Sequence, residues 1–62
     1  MKRAVVRNGR TYTLSAMQIL PGPRGTVAIC RELPDLLELG DNPNDALHRA
    51  TEVVERCASR DT

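Results

Sequence analysis

Four carboxylates, Asp35, Glu38, Asp41 and Asp45, fall within the eleven residues "DLLELGDNPND". Carboxylates at that density can hold divalent cations for hydrolysis, or present a negative rim to a basic partner. Two-metal hydrolysis needs acids that converge from different elements. Here residues 1–31 carry no acid at all, and the four crowd around a single turn. His48 is the only histidine; it falls on the polar side of a helical segment, one turn before Glu52, and reads as a solvated partner of that acid rather than as a base. No catalytic residue is expected. A metal site fails on the same spacing logic. His48 and Cys57 lie nine positions apart, on opposite faces of a helix that turns about 100° per residue. Cys30 and Cys57 show no short Cys spacing, so no metal and no cofactor is expected.

The acids are placed by a helix start. With Asn42 as N-cap, Pro43 occupies the first helical position, where its missing N–H costs nothing. Asp45 then sits at the third, where its carboxylate can reach back to the cap and meet the positive end of the helix dipole. Leu47, Ala50, Val53, Val54 and Cys57 follow as an apolar stripe at helical spacing, with Ala46 and Ala58 beside it. Asp45–Arg49 and Glu52–Arg56 are i,i+4 pairs on the polar face. This predicts a helix over 43–58.

Upstream, the pattern is β. "KRAVVR", "NG" and "RTYTLSAMQI" form a hairpin over 2–19, with Asn8-Gly9 at the two positive-φ positions of a type I′ turn. Val5, Tyr12, Leu14 and Ala16 share one face, and Thr11, Thr13 and Ser15 the other. Met17 and Ile19 break that alternation. Either a bulge near Ala16 turns them inward, or they leave an apolar patch suited to a dimer contact. A loop, "PGPRG", leads to a strand over 25–32 that is apolar on both faces and hence central. Pro34 ends it, a short strand over 36–39 follows, and Gly40 turns the chain. The expected fold is a single α+β domain over 1–62, an antiparallel three- to four-stranded sheet in the order β-β-β-short β-α, with one amphipathic helix packed on one face.

Sixty-two residues bury only about 60% of their unfolded surface. Tyr12 is the only aromatic, so the core is thin, and a thin core argues for a homo-oligomer, a dimer in the simplest case. Charge is uneven. Residues 1–31 carry six cations, and residues 32–62 carry three cations against eight acids, net charges of +6 and −5. Lys2, Arg3, Arg7, Arg10 and Arg24 could therefore meet the phosphates of a nucleic acid, although with no aromatics to stack bases such binding would be weak. Equally, the two halves could interleave and cancel. No signal-like segment and no apolar run of about 20 residues occurs, so a cytoplasmic protein with reduced thiols and no membrane contact is expected.

Residues 26–54, "TVAICRELPDLLELGDNPNDALHRATEVV", resemble the HicB-like antitoxin domain of bacterial toxin–antitoxin systems. The resemblance is carried by Ala28, "LPDLLELGD" at 33–41, "PNDALHRA" at 43–50, and Glu52, Val53 and Val54. Asn42 stands where that family prefers Thr, and Asn44 replaces an acid. The family's full-length members continue into a DNA-binding segment that this sequence lacks, so the toxin-binding half alone, or a stand-alone relative, is implied. The implied partner is a small ribonuclease toxin of the HicA type. Asp35, Leu36, Glu38 and Asp41 would contact it, the acids as a rim over its basic RNA-binding face and Leu36 as an apolar anchor. For Asp41 and Asp45 helix capping is an equally complete explanation.

Overall fold

The computed structural model describes residues 1–22 and 25–60, the last by its backbone alone. Its strands are β1 (Lys2–Arg7), β2 (Arg10–Gln18), β3 (Thr26–Cys30) and β4 (Leu37–Gly40), followed by the helix α1 (Pro43–Arg60). The strands pair antiparallel in chain order, and α1 crosses one side of the sheet. This is the α+β architecture expected from the sequence, with four strands.

The hairpin forms in the register that Asn-Gly dictates. Asn8 and Gly9 have φ of 54° and 76°, the left-handed pair a type I′ turn needs. Val5 then faces Tyr12, and Arg7 faces Arg10. Asn8 also ties the hairpin to the helix, since its Nδ2 donates to the Ala58 carbonyl at 2.8 Å. That bond satisfies a carbonyl of the last helical turns that has no partner within the helix.

The core lies between sheet and helix. Leu14, Leu47 and Val54 are its largest enclosed side chains. Val5, Tyr12, Ala16, Ala28 and Cys30 supply the sheet side, and Ala46 and Ala50 the helix side. Four of these positions are alanines, which lets α1 lie close to the strands and explains how a core without Phe or Trp closes. At the β4–α1 corner the approach is closest. A Cβ on Gly40 would stand 2.5 Å from the Ala46 nitrogen and 2.7 Å from its Cα, so only glycine fits there.

Several details differ from the sequence reading: β2 ends at Gln18 rather than at 19, β3 spans Thr26–Cys30 rather than 25–32, and β4 spans Leu37–Gly40 rather than 36–39. The helix continues two residues past 58 to Arg60. β4 begins at Leu37, because Leu36 closes a turn in which its N–H donates to the Leu33 carbonyl at 2.9 Å. In β2 no bulge occurs: the register runs unbroken through Ala16↔Ala28 and Met17↔Val27, so Met17 points away from the helix.

Candidate interaction surface

The acidic turn divides into separate parts. Asn42 Oδ1 accepts the Asp45 N–H at 2.8 Å, the bond of a helix cap. Asp45 Oδ2 accepts the Asp41 N–H at 3.1 Å and Arg49 Nε at 3.2 Å. The Asp41 amide, and after it the Arg49 guanidinium, hold the Asp45 carboxyl below the usual carboxylate range. Asp45 therefore reaches the residue before the cap and is a structural group. Beside it Glu38, Leu39, Gly40, Asp41, Asp45 and Arg49 line a concavity of about 300 Å³. Glu38 is half-buried on the helix side of β4, opposite Ala28 in the register. Asp35 is exposed before the other end of β4, on a groove of about 290 Å³ shared with Leu33, Pro34, Val53 and Cys57. Leu36 is only 7% exposed and belongs to the core, so it cannot be the apolar anchor expected at this turn. Leu37, 61% exposed, is the apolar side chain that faces outward there. Among the described residues no group of three His, Cys, Asp or Glu side chains is placed to hold a metal ion.

The cations of the hairpin do not form one stripe. Arg3 and Arg7 share the helix side of β1 with Val5. Arg3 Nη2 donates to Asn44 Oδ1 at 3.4 Å, and Arg7 Nη2 pairs with Glu55 Oε1 at 2.6 Å. Lys2 points to the opposite side of the sheet, Arg10 stands across from Arg7 in the turn register, and Arg24 lies outside the described residues. The basic and acidic halves thus interleave at Arg7–Glu55, one of the two outcomes that the charge pattern allowed. His48 pairs with Glu52 at 3.1 Å with both side chains largely in solvent.

Both cysteines are free thiols, Cys30 buried and Cys57 half-buried. Cys30 Sγ donates to Glu32 Oε1 at 3.6 Å, and the same oxygen accepts the Thr13 N–H at 2.6 Å. Burial pushes the Cys30 thiol up, whereas the Thr13 amide pulls the Glu32 carboxyl down. Glu32 thereby continues the β2–β3 ladder with a side chain, next to the Arg31 N–H that donates to the Thr13 carbonyl at 3.0 Å.

The side of the sheet away from the helix is the largest feature left unexplained by local structure. Its register aligns Met17, Val27 and Leu39 in one row and Ser15, Ile29 and Leu37 in the next. Met17, Ile29, Leu37 and Leu39 are each 44–61% exposed. Contiguous exposed apolar side chains of this kind mark contact surfaces. Of these residues the sequence marks only Met17, and leaves it open between a bulge that turns it inward and an outward patch. The alternation in "TVAIC" and "LEL" was the available signal, but an apolar strand reads as buried on both faces until a second cover is found to be missing. No helix among the described residues is long and apolar enough to cross a membrane. No protein-family model, no curated protein and no solved structure matches the chain.

Proposed function

We propose that this chain is a small protein-interaction module, acting as the toxin-neutralising domain of a HicB-like antitoxin does, or as an orphan relative of that domain. One observation carries the reading: the open side of the sheet is apolar and nearly uncharged, which is the anatomy of the centre of a protein interface. The acids supply the finer part. Asp35 lies before β4, Glu38 at its second position and Asp41 just beyond its far end, and a ribonuclease that holds RNA by a basic face could be covered by that rim. The hairpin cations offer less to a nucleic acid, because Arg3 and Arg7 turn toward the helix and Arg7 is engaged by Glu55.

The test, where a neighbouring gene encodes a small basic protein, is to mix the two and measure binding by calorimetry. A complex at micromolar concentration is expected, weakened about tenfold by the double charge reversal Asp35→Lys/Glu38→Lys, as for charged pairs at an interface rim. No complex at that concentration would exclude the antitoxin role. A complex indifferent to the reversal would move the contact away from the acids.

A further inference from the structure

We propose that the open side of the sheet is a two-fold interface between two copies of this chain. The proposal rests on reading that side as an interface, and adds what covers it.

The outward positions on β2, β3 and β4 are Thr, Ser, Met, Val, Ile and Leu, and the cations to count beside them are Lys2, at one corner of the edge strand β1, and Arg31, which follows β3 opposite Thr13. A phosphate backbone would find no array of cations here. A basic protein would find acids only at the rim, since among the described residues none lies on the open side. The chemistry that fits an uncharged apolar face is another uncharged apolar face, and this chain carries one.

Shape points the same way. The β3–β4 half of the face is raised by Val27, Ile29, Leu37 and Leu39. The β1–β2 half is low over Ala4, Thr13 and Ser15, which adjoin one another in the register between Val6 near the turn and Met17 at the other end. A two-fold axis lying between the two sheets, parallel to the strands, would lay the ridge of each copy over the floor of the other, as an isologous contact requires. Two twisted sheets that meet face to face in this way form a sandwich. The centre of the contact is partly prepared. Val27 points outward yet is only 7% exposed, because Met17 and Leu39 flank it on either side. Size is adequate too. A stable contact takes roughly 800 Å² from each partner, about a fifth of the 4387 Å² this chain exposes, and one side of a four-stranded sheet is a patch of that order.

Sedimentation equilibrium of the whole chain tests this. Wild type is expected at twice the chain mass at micromolar to submillimolar concentration. Ile29→Glu, at the ridge, should weaken association roughly 30-fold or more, as loss of a central contact does, and circular dichroism should show its secondary structure unchanged because the side chain is outside the core. Thr13→Arg, on the floor, must weaken association as well, since the ridge of the second copy needs that space. A dimer that survives Ile29→Glu, or one broken by Ile29→Glu and indifferent to Thr13→Arg, overturns the proposed seat. A wild-type monomer throughout the range overturns the proposal outright. In that case the complex with the basic partner separates the two ideas. If Ile29→Glu abolishes it, the face is an interface for that partner, and if Ile29→Glu leaves it intact, the interface reading falls as well.

Discussion

β3 has two faces, and they are unlike in a way that solvation alone would not produce. Toward the helix it presents Ala28 and Cys30, both buried, and its neighbour β4 presents Gly40. Away from the helix the same two strands present Val27, Ile29, Leu37 and Leu39, three of them about half exposed. Apart from Glu38, the small side chains lie on the covered side and the large ones on the open side. The first half of that arrangement is steric, because α1 approaches β4 so closely that Gly40 cannot carry a Cβ. The second half has no such cause within one chain. An antiparallel sheet wetted on one side ordinarily turns polar residues to water, as Thr11, Thr13 and Ser15 on β2 do here. The contrast teaches that burial in this fold is finished on one side and prepared on the other.

The largest expected effect breaks that contrast directly. Leu14, on the covered side of β2, is fully buried, and Leu14→Ala should cost about 2–5 kcal/mol. A chain of 62 residues is stable by only about 3–9 kcal/mol in all, so this variant should lose about half of its stability or more. Leu37→Ala on the open side should change the stability of a dilute, unassociated sample by no more than about 0.5 kcal/mol. Urea denaturation of both variants at low protein concentration decides the matter. Equal losses would mean that the two sides are not distinct. A smaller effect sharpens the steric half of the contrast: Gly40→Ala forces a methyl group against the Ala46 backbone and should cost about 1–3 kcal/mol, again by urea midpoint. A neutral result would show that the β4–α1 corner yields readily.

Much of the covered side was legible in the sequence. Asn8-Gly9 specified the hairpin register residue by residue, and Asn42-Pro43 with Asp45 specified where the helix begins, because both signals are local and tied to particular φ values or unpaired N–H groups. The helical stripe likewise named the buried residues of α1. Leu36 was misplaced for the opposite reason. Whether a leucine beside Pro34 and Asp35 points outward depends on the turn it makes with Leu33, and on a core whose space is set by distant residues. The open side was legible in part. Met17 falls out of the β2 alternation, so an outward apolar residue was foreseeable there. Ile29, Leu37 and Leu39 could not be sorted, since periodicity gives the two faces of a strand without telling which of them a single helix will cover. Asn8 at the Ala58 carbonyl and Glu32 at the Thr13 amide left no trace in the sequence, for each joins groups that only the fold brings together.

The smallest effect separates the two sides by acid. Glu32 and Asp45 both hold their charge below the usual carboxylate range, Glu32 chiefly through the Thr13 N–H and Asp45 chiefly through the Asp41 N–H. A carboxyl whose pKa is lower in the folded chain than in the unfolded one contributes stability above the unfolded value, about 4, and loses it as pH falls through the folded value. Both groups are well solvated, so the contribution is modest in each case. The urea midpoint of wild type should therefore decline between about pH 5 and about pH 3. Glu32→Gln should start lower at neutral pH and decline less steeply, because one of the two carboxylates no longer titrates. Identical slopes would show that the Thr13–Glu32 bond contributes nothing. Among the described residues the open side carries no acid. If two copies meet there, the association constant of the folded chains should stay level across the same interval in which the fold itself weakens. A dimer that dissociates in step with Glu32 would place its contact on the acidic ends of the sheet instead.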